Sequence, residues 1–254
     1  MKVTAFIGSG RKRHSYNACE KFLQNLQSYG DVEYELVRLS EYNLGTCRGC
    51  RVCFDKGEEH CPSRDDRDIL IGKINDSDGV IFASPNYSFQ VSGLMKVFLD
   101  RLGYGFHRPD FFGKTCTSIV AQGIGKGESI VKYLDFVGKG LGFNVVKGCC
   151  LKTLEPMTEK SQAKFDRMVD IQSRRFYAQL IKKEFPVPTF WWLMMFRMAR
   201  TSIKKMLDES WRDYTYFRDK GWFESDYFYP VRLNPVKKLT GKVFDKLALQ
   251  IIRS

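Results

Sequence analysis

The sequence contains no apolar run near the roughly 20 residues that a membrane-spanning helix requires, which excludes a helical integral membrane protein. It also has no basic-then-apolar leader pattern. The first residues pass straight into a strand pattern, so a cytoplasmic location is expected. Histidine is scarce, with three in 254 residues, and no Ser-His-Asp set or defensible carboxylate pair stands out. Triad hydrolysis and paired-carboxylate chemistry are therefore not indicated. Acidic residues are in deficit: 41 Lys and Arg face 29 Asp and Glu, a net charge of +12. Such a balance suits nucleic acid, a membrane surface or anionic substrates. Zinc-finger spacing and the aromatic signature of RNA-binding sheets are both missing, so no nucleic-acid partner is expected. No internal repeat or low-complexity tract is evident. Hydrophobic residues, in contrast, make up 43% and aromatics 14%, with most of the aromatic excess after Phe185. There are also eight cysteines. In a chain not expected to be exported, they point to reduced thiols, metal ligation or redox chemistry and not to a disulfide framework.

Short apolar runs alternate with amphipathic stretches. Strands are expected at 3–7, 34–39, 80–84, 115–121 and 143–148, and helices at 16–29, 66–75, 92–102, 127–140 and 158–183. Five such units predict an α/β fold, a doubly wound five-stranded parallel sheet covered on both faces; in the flavodoxin-like version of such a sheet the strand order is 2-1-3-4-5. Ligands of such sheets lie beyond the carboxyl ends of the strands. Residues 1–184 are expected to form this domain, interrupted by a cysteine-rich insertion at 40–65. Residues 185–254 form an aromatic, basic, helical extension. Within it, Phe190 to Met206 carries Trp191, Trp192, Met194 and Met195 together with Arg197, Arg200, Lys204 and Lys205. That segment can cover the core, serve as a lid or dimer arm, or lie in a membrane interface.

Three loops carry ligand chemistry. The first, Gly8-Ser9-Gly10-Arg11-Lys12-Arg13-His14-Ser15, links the first strand to the first helix. It offers amides, hydroxyls, cations and a helix N-terminus to one phosphate. The second, Ser84-Pro85-Asn86-Tyr87-Ser88-Phe89-Gln90-Val91-Ser92-Gly93, follows the third strand. Its Tyr and amides suit a flat heteroaromatic ring, and Ser92 is a candidate helix cap. The third, Gln122-Gly123-Ile124-Gly125-Lys126-Gly127, follows the fourth strand with glycines that let backbone approach a ligand.

Gly8-Ser9-x-Arg11-Lys12, with Ser84-Pro85-x-Tyr87 and Ser92-Gly93-x-Met95-Lys96-x-Phe98-x-Asp100-Arg101, resembles the NAD(P)H-dependent FMN reductases of the flavodoxin-like superfamily. The likeness spans roughly residues 1–182. It implies that Ser9, Arg11, Ser15 and Tyr16 or Asn17 hold the FMN phosphate. It implies that Pro85, Asn86, Tyr87 and Ser88 border the isoalloxazine on one side, with Gln122, Gly123 and Gly125 on the other. Gly10 stands where such loops often have Pro, and His14-Ser15-Tyr16 is bulkier than usual. The resemblance further implies a homodimer or homotetramer with NAD(P)H as co-substrate. A flavin supplies its own hydride and one-electron chemistry, so a missing triad is consistent.

Cys47, Cys50, Cys53 and Cys61 are spaced C-x2-C-x2-C-x7-C in the long connection after the second strand. Three thiols at such intervals can converge on an inorganic cluster. The loop resembles that of the iron–sulfur flavoproteins, which implies a [4Fe–4S] cluster; zinc and no metal remain open. Cys19, Cys116, Cys149 and Cys150 lack metal spacing, and Cys116 and Cys149 are expected to be core thiols. His14 can touch phosphate or stay solvated. His60 can join the cysteines. His107 is expected at the surface or facing the flavin or nicotinamide, and Asp100-Arg101 is expected to be an ion pair or a dimer contact.

The expected function is an FMN-dependent oxidoreductase passing electrons from NAD(P)H or a reduced donor protein to a small acceptor such as a quinone or flavin. One alternative is an electron carrier that uses a ferredoxin-type donor. Another is a membrane-peripheral quinone reductase, though membrane contact is not the expected state.

Overall fold

The computed structural model describes residues 1–253. In chain order the elements are β1 (Lys2–Ile7), α1 (His14–Tyr29), β2 (Glu33–Arg38), the one-turn α2 (Val52–Asp55), α3 (Arg67–Asn75), β3 (Gly79–Pro85), α4 (Gly93–Arg101) and β4 (Thr115–Gln122). They continue with α5 (Gly127–Gly140), β5 (Asn144–Val145), β6 (Cys149–Lys152), α6 (Glu159–Leu180), α7 (Phe190–Met206), α8 (Arg212–Asp219) and α9 (Pro235–Arg253).

The chain divides into two compact units. The first comprises Met1–Cys47, Ser63–Gly103 and Asp110–Glu184. It holds a sheet of order β2-β1-β3-β4-β5, with every pairing parallel. β3 and β4 are buried along their whole length because helices cover both faces. Side chains alternate with period two. Phe6 and Phe82 join one apolar cluster with α3, α4 and α5, while Ile7 and Ile81 join the other with α1 and α6. The flavodoxin-like reading of the sequence is thus borne out, and α5 begins and ends where the sequence places it.

The fifth strand departs from expectation. It is broken: β5 pairs β4 only at Thr115 and Cys116, and β6 pairs it again from Ile119 to Gln122. Cys149 therefore opens a strand instead of following one. The cause lies on α5. The Asp135 carboxylate accepts from the Gly148 N–H at 3.1 and 3.2 Å and from Ser118 Oγ at 2.9 Å, replacing a ladder bond with a side chain. Gly148 runs so close to β4 that an added Cβ would lie 2.6 Å from the Ser118 carbonyl oxygen. Burial pushes the Asp135 carboxyl upward.

The second unit comprises Arg48–Pro62, Tyr104–Pro109 and the chain from Phe185 onward. α7 buries Leu193, Phe196 and Ile203 in this unit, where Phe196 meets Phe228 edge-to-face at 4.6 Å. Trp222 meets Phe228 at 4.7 Å and Phe217 at 4.9 Å. Two of the basic residues of α7 are held internally. Arg197 reaches Asp226 at 2.9 Å and pairs with Asp245, and Arg200 reaches Asp245 at 2.8 Å. Among the described residues, no helix is long and apolar enough to cross a membrane.

Candidate functional site

The apolar run of β1 stops at Ile7 because Gly and Ser follow it, and the chain turns into α1. Gly8 fixes where this loop starts. Its N–H donates to the Ala83 carbonyl at 2.8 Å, and a Cβ here would sit 2.6 Å from Ser92 Oγ and 2.8 Å from Met95 Cβ. Ser92 links two loops through one hydroxyl, which donates to the Gly8 carbonyl at 2.5 Å and accepts from Met95 N at 3.2 Å, capping α4. The Ser92 N–H donates in turn to Ser84 Oγ at 2.9 Å, locking the end of β3 to the same cap. Ser9 is buried, and its hydroxyl donates to the Arg11 carbonyl at 3.0 Å and accepts from Arg11 N at 3.3 Å.

α1 starts without a capping side chain and without an acidic residue in its first turn. Ser92, Thr158 and Thr189 cap α4, α6 and α7. The first amides and positive end of α1 thus carry no side-chain cap, as is also the case for α3, α5 and α8. Arg11 is exposed just before α1, Ser15 is buried in its first turn, Tyr16 is half-buried and Asn17 is exposed. Arg13 and His14 both turn to Glu155, at 3.4 and 3.0 Å, and the His14 ring stays partly exposed. Sequence reasoning missed Glu155, which lies 141 residues from His14 and has no local signal.

The second and third loops are tied to each other. Pro85 closes β3, and Asn86 N donates to the Ala121 carbonyl at 2.8 Å. The Asn86 amide donates to the Gly125 carbonyl at 3.0 Å, with Gln122 Oε1 at 3.5 Å. Gln122, buried, accepts the Gly127 N–H at 2.7 Å. Asn86 and Gln122 thus brace the loops and leave backbone and aromatic faces toward a ligand. Tyr87 and Gln90 exchange backbone bonds at 3.0 and 3.1 Å around Ser88 and Phe89, whose φ values are 50° and 63°. Two non-glycine residues in left-handed backbone cost about 1–2 kcal/mol each. The turn holds Tyr87 and Phe89 outward, 48% and 55% exposed. Gly123 is exposed, and Gly125 has a φ of 33° that a side chain would strain. A cavity of about 740 Å³ opens beside Gly123 and Gly125, toward Leu154, Phe165 and Met168.

The cysteine segment lacks a comparable frame. Cys47 and Cys50 are exposed, and Cys53 and Cys61 are half-buried. Their thiols have the right chemistry for iron or zinc. Among the described residues, however, no three His, Cys, Asp or Glu side chains gather to hold a metal ion. As arranged, the cysteines do not form a site. What orders the segment is Arg108. Its buried guanidinium donates to the Cys53 carbonyl at 2.7 Å and Glu58 at 2.7 Å, and pairs with Asp213. His107 lies at the surface, as expected, packs on Phe54 at 4.4 Å and meets Asp213 at 2.7 Å. His60 is exposed, with Glu59 at 3.6 Å. Asp100 and Arg101 are not partners. Asp100 pairs with Lys96 one turn back on the same helix face, and Arg101 is buried against Asp65 at 2.7 Å.

Burial pushes the Cys19 and Cys116 thiols up, Cys149 to about 12 and Cys150 to about 11, so they stay protonated at neutral pH. In iron-free protein at pH 8 a thiol reagent is expected to label Cys47 and Cys50 rapidly in the folded state, and Cys19, Cys116 and Cys149 only after unfolding. Peptide mapping checks this. Early labelling of Cys116 would contradict the packing.

The sequence pattern of the NADPH-dependent FMN reductases matches residues 1–152. An iron–sulfur flavoprotein of Archaeoglobus fulgidus is 39% identical over 160 residues, spanning 58% of this chain and 71% of that one. Another, from Clostridioides difficile, is 30% identical over 195 residues, spanning 73% of this chain and 82% of that one. The fold is shared with RosB, solved with bound 8-demethyl-8-formylriboflavin-5'-phosphate. That match has a TM-score of 0.60 and 12% identity over 92% of each chain. It is also shared with an NAD(P)H:quinone oxidoreductase from Methanothermobacter marburgensis, with a TM-score of 0.54 and 16% identity over 68% of this chain and 98% of that one.

Proposed function

This chain belongs to the NADPH-dependent FMN reductase family and is an oxidoreductase, and from that premise we propose that it binds FMN at the carboxyl ends of β1, β3 and β4. In this reading it passes electrons from a reduced pyridine nucleotide to a small acceptor such as a quinone or free flavin. The observation that carries the reading is the joining of three loops at one sheet edge by Ser92 and Asn86, next to an uncapped helix N-terminus. The residues fit the group. The α1 amides and Arg11 suit the phosphate, Ser9 shapes the loop that presents them, and Ser15, Tyr16 and Asn17 flank it. Pro85, Asn86, Tyr87 and Ser88 form one wall for a flat ring, and Gln122, Gly123 and Gly125 the other. When bound, FMN supplies hydride and single-electron chemistry, and the protein binds, orients and limits solvent. A flavin-bound RosB intermediate and a quinone oxidoreductase of the same fold support the choice of ligand and acceptor class.

Mixing the purified protein with NADPH without oxygen is expected to bleach bound flavin, and adding a quinone is expected to restore its colour. A flavin that NADPH leaves oxidised would instead favour a protein electron donor. Arg11→Ala is expected to weaken FMN binding about 5- to 10-fold, the scale of one exposed charge-assisted bond. Fluorescence titration reads it, and unchanged affinity would remove Arg11 from the phosphate site.

A second reading concerns Cys47, Cys50, Cys53 and Cys61. Their spacing and the relatives named iron–sulfur flavoproteins support a [4Fe–4S] cluster. Among the described residues the four thiols are not gathered into one group. Protein purified without oxygen is expected to contain iron, and Cys50→Ser to lose it while keeping flavin. Equal iron in both would defeat this reading.

A further inference from the structure

The cavity beside Gly123 and Gly125 has a distinctive lining. Its lining is apolar at Leu154, Phe165 and Met168 and carries the exposed lysines Lys152, Lys160 and Lys164. No acidic residue lines it. Lys160, Lys164 and Met168 recur every fourth residue on one face of α6, and the loop after β4, β6 and Leu154 also supply lining. Of the nearby acids, Glu155 is engaged with Arg13 and His14 and Asp166 with Lys21, while Glu128 lies close enough to act on the lining thiol of Cys150. Lys21, Arg13 and Arg174 on the neighbouring surface all have carboxylate partners. Among the described residues, the three lining lysines have none. An apolar slot with three unanswered cations, opening on the loop that would border a flavin, selects a particular ligand chemistry.

We propose that this cavity is the acceptor pocket and that Lys152, Lys160 and Lys164 select acceptors carrying an anionic group on a flat apolar body, such as a quinone bearing a sulfonate or carboxylate. The ring lies on Leu154, Phe165 and Met168, and the anion sits among the ammonium groups. The proposal deepens the function proposed above and rests on it for the redox step. In that step the quinone takes up two electrons and two protons to become the hydroquinone. The reduced pyridine nucleotide gives a hydride, which is two electrons and one proton, and solvent gives the second proton. The anionic substituent is unchanged. The lysines are exposed, so the preference weakens as salt rises.

Two arms test this. In the first, naphthalene sulfonate and its uncharged sulfonamide are titrated calorimetrically into the protein as purified. The sulfonate is expected to bind at least tenfold tighter, and the preference to vanish in the Lys152→Gln/Lys160→Gln/Lys164→Gln variant. Lys132→Gln/Lys139→Gln removes two charges that do not line the cavity and is expected to keep the preference. Equal binding of the two probes, a preference surviving in the triple variant, or equal loss in the control variant would overturn the proposal. In the second arm, kcat/KM is compared for naphthoquinone sulfonate and naphthoquinone with NADPH. The ratio is expected to fall about tenfold in the triple variant. A rise in KM for NADPH with an unchanged ratio would place the lysines on the donor and overturn the assignment. Protein that neither holds flavin nor turns over would defeat the flavin reading, and the first arm would still decide the pocket.

Discussion

Gly8→Ala is expected to strip the protein of FMN. A methyl group at this position has no room: Ser92 Oγ lies 2.6 Å away, Met95 Cβ 2.8 Å and Met95 N 3.3 Å. The hydroxyl can rotate, but the α4 backbone cannot, so the loop after β1 and the start of α4 must part. Overpacking of this kind costs about 1–3 kcal/mol. It also breaks the Ser92 to Gly8 bond that registers the first loop against the second. FMN affinity is expected to fall by tenfold or more, together with a drop of several degrees in Tm, roughly 2–4 °C per kcal/mol for a chain of this size. Gly10→Ala is the comparison, since the nearest atom to its added Cβ would be 4.0 Å away. It is expected to change Tm little. Equilibrium dialysis and thermal unfolding read both. A Gly8→Ala protein with full flavin occupancy would show that this close approach does not shape the site.

Arg108→Ala is expected to be the most destabilising single change in the second unit. The guanidinium is buried, with side-chain exposure of 1%, and answers Asp213 and Glu58 while holding the Cys53 carbonyl. Tyr104 and Tyr216 flank it at 5.5 and 5.9 Å. Removing it leaves a buried Asp213 without its guanidinium partner and facing the exposed His107 ring. Breaking a buried pair in this way costs about 3–5 kcal/mol. Hydrogen exchange is expected to rise across residues 48–62, 104–109 and 212–219. Unchanged protection there would mean that the cysteine segment is ordered by something else.

These sites show what the sequence made legible and what it could not. The loop from β1 to α1 was readable because an apolar β-branched run, a Gly/Ser turn and a helical period follow one another locally. α5 was readable at both ends because glycines bound it. The break between β5 and β6 was not, because its cause is an Asp135 carboxylate that captures a backbone amide 13 residues on. Asp100 and Arg101 misled because adjacency in sequence is divergence on a helix, and the true partner of Arg101 is 36 residues away. Within the candidate site, the positions of Ser9, Asn86 and Gln122 at the strand ends were legible, but their part in bracing loops was not. That part depends on partners such as Gly125 and Gly127 on a different loop or across a turn. The ordering of the cysteine segment by Arg108 draws on residues separated by 50 to 105 positions, beyond any local pattern.

The most direct test is a titration of the purified protein with FMN, following quenching of flavin fluorescence after endogenous flavin has been removed. One FMN bound per chain, with binding lost in Gly8→Ala and weakened in Arg11→Ala, is the predicted result. Failure to bind FMN, or binding indifferent to both substitutions, would contradict the placement of the flavin at the ends of β1, β3 and β4.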